Sequence, residues 1–259
     1  MAGYNLKDKS AIITGGASGI GRAIALNFAA NGAHVHILEL AHEHALQTVE
    51  EIQSNGGKAS AHQCNVASHE EVKQVVDTIA GGQTIHILVN NAGIAHVGNL
   101  EKTSEEALDN LYNVNVKGVY NCMFACISHM KNSGGGVILN MASVASSVGI
   151  ADRFAYSMSK GAVLTMTYSV AKDYIGDNIR CNSISPGRVH TPFVDGFLAK
   201  NYPGKEEEMF QKLSKSQPIG RMGTPEEIAD LALFLCSDKA GFITGTDYPI
   251  DGGYIKLNS

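Results

Sequence analysis

Short unbroken apolar runs alternate with helix-periodic stretches along the chain, and this alternation restricts the fold more than any single motif. Ser10-Ala11-Ile12-Ile13-Thr14 and the runs 33–38, 59–64, 85–89, 136–141 and 179–184 read as strands, with a last one near 246–250. Helical stretches are expected between them, over about 20–31, 42–55, 68–80, 104–131 and 153–175. A further helix opens at Thr224-Pro225-Glu226-Glu227, which supplies a cap hydroxyl, a proline at the first helical position and acids in the first turn. The segment 187–222 is polar and reads as irregular. Strands that are apolar at successive positions must be covered on both faces, and strand–helix alternation does this with a parallel sheet between two helical layers. The expected class is therefore α/β, a doubly wound parallel β-sheet in a three-layer α/β/α arrangement. No linker, charge run or repeat divides the 259 residues, so one domain, 1–259, is expected.

Composition narrows the partners. Apolar residues make up 44% of the chain, enough for a sizeable core, and the 28 glycines fall in short clusters that suit tight strand-to-helix turns. A net charge of -5 argues against a nucleic-acid partner. Residues 1–9 are polar without a signal-peptide pattern, and no apolar run approaches the ~20 residues needed to span a bilayer. No membrane partner and a cytoplasmic location are expected. The five cysteines, 64, 122, 126, 181 and 236, are scattered and odd in number, which favours free thiols over disulfides or zinc. Cys122 and Cys126 fall on one helix face, and His34, His36, His42 and His44 lack companions at ligand spacing, so no metal is expected.

The first turn carries chemistry. Thr14-Gly15-Gly16-Ala17-Ser18-Gly19-Ile20-Gly21 joins a strand to a helix. Glycine lets the backbone turn sharply and approach a pyrophosphate, while free N–H groups and the helix dipole hold its charge. An acid about twenty residues on, Glu39 at the end of the second strand, completes the context of a Rossmann-type dinucleotide site. Its carboxylate can accept both adenosine-ribose hydroxyls and repels the extra phosphate of NADP. No Arg or Lys stands at 16–18 or 40–42 to receive that phosphate, so NAD is the expected cofactor.

Tyr156 and Lys160 are four apart and share a helix face, with Ser143 thirteen residues upstream. A phenol of pKa ~10 is too weak an acid to shuttle protons near neutrality. A fixed ammonium beside it favours the phenolate and lowers that value. A Tyr and a Lys at this spacing also occur by chance in ordinary helices.

The chain resembles single-domain members of the short-chain dehydrogenase/reductase family over nearly its whole length. The matching stretches are Thr14 to Gly21, Asn90-Asn91-Ala92-Gly93, Asn113 to Gly118, Asn140-Met141-Ala142-Ser143, Tyr156 to Lys160, Ile179-Arg180-Cys181-Asn182, Ser185-Pro186-Gly187, and Gly245 with Ile250-Asp251-Gly252-Gly253. The resemblance implies an oxidoreductase in which Tyr156 is the general acid/base and Ser143 hydrogen-bonds the substrate oxygen. It further implies that Lys160 binds the nicotinamide ribose and lowers the Tyr156 pKa, and that Asn115 holds a water linking Lys160 to solvent. The cofactor would lie along Gly15, Ser18, Gly19, Ile20, Gly21, Glu39, Asn65, Val66, Asn91, Ala92, Gly93, Pro186, Gly187, Val189 and Thr191. Where the family usually has Asp-Val after the third strand, this chain has Asn65-Val66, and the amide oxygen can accept the same adenine bond. The faces of 104–131 and of the Tyr-Lys helix resemble those through which the family forms homotetramers; ordinary packing on the sheet is the alternative.

For a small-molecule substrate the candidates are His96, Val144, Ser146, Arg153, Arg188, His190 and Phe193, with the long 188–220 segment carrying specificity. Two arginines near Tyr156 point to an anion, since a guanidinium clamps carboxylate bidentately. Ser143 to Ser147 with Arg153 and Tyr156 resemble family members acting on hydroxy acids or deoxy sugar acids. The expected reaction is a secondary alcohol–ketone interconversion on a hydroxy acid, sugar or sugar acid. A 3-oxoacyl thioester reductase, a sugar 1-dehydrogenase and a non-catalytic NAD-binding sensor stay open, though a sensor does not need all of Ser143, Tyr156, Lys160 and Asn115. Arg180 reads as structural.

Overall fold

The β-branched and aliphatic runs form strands wherever both faces find apolar cover. In the computed structural model, which describes residues 4–257, they are β1 Ser10–Thr14, β2 His34–Glu39, β3 Lys58–Gln63, β4 Ile87–Asn90, β5 Gly136–Met141, β6 Ile179–Pro186 and β7 Asp247–Ile250. They pair in parallel as one seven-stranded sheet of order β3-β2-β1-β4-β5-β6-β7.

The helices are α1 Gly19–Ala30, α2 His42–Ser54, α3 His69–Gly82, α4 Glu105–Tyr112, α5 Gly118–Asn132, α6 Phe154–Asp173, α7 Pro192–Asn201, α8 Glu206–Lys215, α9 Pro225–Cys236 and α10 Tyr254–Leu257. Alternate residues of each strand feed opposite cores, as the two-residue side-chain period requires. Ile13 and Ile37 join Ile24 and Phe28 of α1 and Ile228 of α9 on one side. Ile12, Leu38 and Ile138 join Val72 of α3, Cys122 and Cys126 of α5 and Val163 of α6 on the other. The doubly wound α/β/α expectation is thus met, and Cys122 and Cys126 are buried free thiols on one face of α5.

Two local expectations are corrected. The stretch 104–131 is not one helix: a π-helical turn, Asn113–Lys117, separates α4 from α5. The segment 187–222 is not irregular, because α7 and α8 lie inside it. Thr191-Pro192 starts α7 much as Thr224-Pro225 starts α9, and α8 begins with Glu206-Glu207-Glu208 and ends in Lys212 and Lys215, matching the helix dipole at both ends. Arg180 is structural as expected, donating to the carbonyls of Leu235, Ser237 and Ile243.

The strand order reverses between β1 and β4. A crevice opens beyond the carboxyl ends of strands at such a point, and Thr14 and Asn90 end the two strands there.

Candidate active site

The Gly loop is stitched to the end of β4 by side chains. Thr14 Oγ1 accepts from the N–H groups of Asn91 and Ala92, both at 3.0 Å. The Asn91 amide donates back to the carbonyls of Thr14 (3.1 Å) and Gly15 (3.0 Å). Gly15 has φ +64°, and a Cβ there would lie 3.0 Å from Ala92 Cα. At Gly21 a Cβ would lie 2.1 Å from the Gly15 carbonyl oxygen, so the helix can start this close to the strand only with glycine.

Glu39 stands at the end of β2 as expected, and its carboxylate accepts from Ala17 N–H at 3.4 Å and Leu40 N–H at 3.1 Å. Asn65 Oδ1 accepts from Ala67 N–H at 3.0 Å, which turns the amide into the loop after β3. The residues fit a dinucleotide. A Cβ at Gly19 would come within 3.3 Å of Thr191, so the first turns of α1 and α7 face each other across a gap that glycine keeps open. Two helix N-termini aimed into one crevice favour an anion such as a diphosphate.

One cleft of about 590 Å³ runs from Glu39, Asn65 and Val66 past Gly15, Ser18, Gly19 and Ile20 of the Gly loop to Ser143, Tyr156 and Lys160. Pro186, Gly187, Val189 and Thr191 close it from the β6 side. Lys160, in α6, is buried, and its Nζ donates to the Met141 carbonyl at 2.7 Å and lies 5.9 Å from the centroid of the Tyr156 ring. Burial pulls the Lys160 amine down to about 8. Burial likewise pushes the Tyr156 phenol up, while the Ser143 hydroxyl and the Arg153 guanidinium pull it back. The sequence pointed to the Lys160 ammonium as the group that acidifies Tyr156. Among the groups acting on the phenol here, Ser143 and Arg153 have that sense, and Lys160 is turned to a carbonyl.

Asn115 sits in the π-helical turn, fully buried behind Gly93 and Ile94. Its side chain bonds both main-chain groups of Ile94, accepting at 2.8 Å and donating at 2.9 Å, and donates to Ser159 Oγ at 3.1 Å. A Cβ at Gly93 would lie 3.2 Å from Asn115 Oδ1 and 3.7 Å from Lys160 Nζ, so glycine leaves room beside both groups.

Of the substrate candidates, Val144, Arg153, Arg188 and Phe193 line the cleft. Gly21 and Asn115 stand behind its wall, and three candidates lie away from it. His190 is exposed, pairs with Asp195 at 2.8 Å and packs edge-on against Phe210. His96 reaches the site only through its carbonyl, which accepts from Arg153 at 3.2 Å, and Ser146 Oγ is buried without a partner. Ile150, Leu213 and Gln217 join the wall from stretches expected to meet the substrate, though not named singly, and sequence reasoning missed Met222 and Tyr254. For Leu213 and Gln217 the charge pattern of α8 was the available signal. For Tyr254 there was none, since only the return of the chain after β7 brings it in.

Comparison with known proteins agrees with this geometry. A family model described as Enoyl-(Acyl carrier protein) reductase matches residues 15–255. An uncharacterized oxidoreductase of Thermotoga maritima is 42% identical over 96% of this chain and 98% of its own. The 2-keto-3-deoxy-L-fuconate dehydrogenase of Xanthomonas campestris is 33% identical over 96% of this chain and 81% of its own. Among solved structures, the L-sorbose reductase of Gluconobacter frateurii, complexed with NADPH and L-sorbose, superposes with a TM-score of 0.93 at 29% identity, covering 98% of this chain and 99% of that one. With a doubly wound sheet, a glycine-lined cleft at its switch point and relatives of this kind along its whole length, the chain belongs to the short-chain dehydrogenase/reductase family, whose members oxidise alcohols and reduce ketones.

Proposed function

We propose that the protein is an NAD(H)-dependent oxidoreductase that interconverts a secondary alcohol and a ketone on a hydroxy acid or sugar acid. The observation that carries this reading is the convergence of Ser143, Tyr156 and Lys160 on the cleft that the Gly loop opens. When bound, the nicotinamide accepts or supplies the hydride. The chain's own residues orient the substrate and move the proton. Ser143 Oγ accepts from Ala145 N–H at 3.2 Å and shares a hydrogen bond with the Tyr156 phenol, and with substrate bound its hydroxyl donates to the substrate oxygen. Tyr156 takes the alcohol proton in oxidation and returns it in reduction. Lys160 holds the nicotinamide ribose, and Asn115, at the rear of the site, connects the amine to solvent through a water.

NAD rather than NADP is supported by Glu39, whose carboxylate faces the Gly loop beside Ala17, with no cationic side chain among the described residues lining that end of the cleft. The sorbose reductase carries NADPH; Glu39 is the reason for assigning the other cofactor here. The acid substrate is supported by Arg153 in the wall and by the kinship with a keto-deoxy-fuconate dehydrogenase. We further infer a one-domain, cytoplasmic enzyme that assembles as a homotetramer. Among the described residues no helix is long and apolar enough to cross a membrane.

Replacing Tyr156 with Phe removes the proton carrier and leaves the cofactor cleft. Tyr156→Phe is expected to bind NADH as the parent does and to lose about a thousandfold or more in kcat, within the range for a general acid/base. Turnover within tenfold of the parent would remove Tyr156 from the mechanism.

A further inference from the structure

Among the described residues, the substrate end of the cleft is lined by two guanidinium groups and no carboxylate. Arg153 stands just before α6 and donates one N–H to the His96 carbonyl at 3.2 Å. Arg188 follows β6, where its main chain is fixed on both sides: its N–H donates to Gln217 Oε1 at 3.2 Å and its carbonyl accepts from Gly223 N–H at 2.9 Å. Its Nε donates to Ser216 Oγ at 2.9 Å. A guanidinium has five donors in a rigid fork, so each arginine retains most of its donors for a ligand.

The two charges oppose each other. Burial lowers the Arg188 pKa first, and the charge of Arg153 lowers it further. Among the described residues, none of the ion pairs takes in Arg153 or Arg188. The carboxylate in the cleft wall, Glu39, lies at the adenosine end on the Gly loop. Two half-buried cations kept together without a counter-ion oppose folding unless something else selects them, because an unpaired buried charge is costly.

A third group joins them from the far end of the chain. Tyr254 begins α10, lines the cleft and lies within electrostatic reach of Arg188. It is placed there by the turn after β7. Asp251 accepts from the N–H groups of Gly253 (2.9 Å) and Ile255 (2.8 Å), which keeps its carboxylate on its own backbone. Gly187 N–H donates to Ile250 O at 3.0 Å and Ile219 N–H to Gly252 O at 3.0 Å, tying the turn to the Arg188 segment and the end of α8.

We propose that Arg153, Arg188 and Tyr254 form a carboxylate-binding end of the cleft, with Tyr254 a specificity-determining residue contributed by the C-terminal turn. The proposal rests on the reading of the cleft as an alcohol–ketone oxidoreductase site. A carboxylate there would neutralise both arginines, accept from their free N–H groups and take one more hydrogen bond from the phenol, and its seat fixes which carbon of the substrate meets Tyr156. An ester of the same acid fills the same space without the charge.

The test compares short 2-, 3- and 4-oxo acids with their methyl esters, together with neutral ketoses, as oxidants of NADH by the purified enzyme. For the acid that is used best, kcat/KM is expected to exceed that of its ester by about tenfold or more, the range of a charge-assisted hydrogen-bonded pair. Arg188→Met is expected to reduce this acid-to-ester ratio by about tenfold, and Tyr254→Phe by about threefold. Arg188→Lys, which keeps the charge and loses the fork, is expected to fall between the parent and Arg188→Met. A parent ratio near one, or a ratio untouched in Arg188→Met, overturns the anchor. So does an Arg188→Met enzyme that loses affinity for NADH while keeping its acid preference, since Arg188 would then serve the cofactor. Reduction of esters or ketoses but not acids sinks the anchor and leaves the oxidoreductase reading standing, whereas an enzyme that uses none of these oxidants counts against that reading itself. Should Arg188→Met fail to fold, Tyr254→Phe and Arg188→Lys carry the same comparison.

Discussion

A single carboxylate decides the cofactor argument at the residue scale. Glu39 closes β2 with its oxygens toward Ala17 N–H and Leu40 N–H. A second anion a few ångströms away, such as the 2′-phosphate of NADP, would meet a cost of about 1–3 kcal/mol at the effective dielectric of a protein surface. That corresponds to about five- to 150-fold in kcat/KM in favour of NAD. Glu39→Ser removes the repulsion and is expected to bring the two cofactors within about threefold of each other through a gain with NADP. Equal kcat/KM values for NAD and NADP in the parent enzyme would refute the assignment. The residue was legible because its type and its spacing from the Gly loop are set by one local contact. Tyr156 was legible in identity and not in environment. Its phenol is raised by burial and lowered by Ser143 and Arg153, and those neighbours come from tertiary packing that the four-residue spacing to Lys160 does not encode.

At the scale of elements, the strands and the long helices were readable because apolar runs and amphipathic periods report burial directly. The failures have physical causes too. The π-helical turn at Asn113–Lys117 answers to the two-way bonding between Asn115 and Ile94, a contact between distant segments. The helices α7 and α8 span only ten residues each, α7 with a glycine in its middle and α8 with Met209, Phe210 and Leu213 between charged ends, so neither offers a long periodic run. The β2–β3 pair shows an element whose energetics follow from three histidines. His36 Nδ1 lies 3.0 Å from His62 Nε2, His36 stacks on His34 at 4.4 Å, and Gln83 hydrogen-bonds the other His36 nitrogen. Lys58 adds positive charge near His34, and His42 near His62. Burial, then the charges of His34 and His62, hold His36 down to about 3, against 6.5 in the unfolded chain. Above pH 6.5 both states are neutral and His36 adds nothing. As pH falls from 6.5 toward 3 the unfolded chain takes the proton and the folded one does not, so stability is lost across that window. The expected loss from this group between pH 7 and pH 5 is about 2 kcal/mol. Urea midpoints measured at both pH values should show the drop in the parent and a much flatter difference in His36→Gln. Parallel losses in the two proteins would assign the acid sensitivity elsewhere.

At the scale of the whole molecule, the remaining question is what covers the outer face of α4 and α5. Tyr120 and Phe124 are 46% and 51% exposed, and both pack against His69 to form a continuous aromatic surface. Tyr112, at the end of α4, is 48% exposed. Aromatic side chains grouped in this way are what a protein interface buries at its centre, and stable interfaces cover about 1,600 Å² in total. We propose that the homotetramer inferred above packs through this face. Phe124→Asp places an unpaired charge at the centre of that contact, where desolvation opposes association. Sedimentation velocity is expected to give four chain masses for the parent and smaller species for Phe124→Asp. Phe124 does not line the cleft, so NADH affinity of the separated chains tests whether the cofactor site depends on assembly. The cleft is built from the end of β2, α6 and the segments after β1, β3, β4, β5, β6 and β7 of one chain, and the expected affinity is that of the parent within about threefold, the scatter for a distant independent site. A parent that sediments as a monomer would leave the aromatic face without the partner assigned to it.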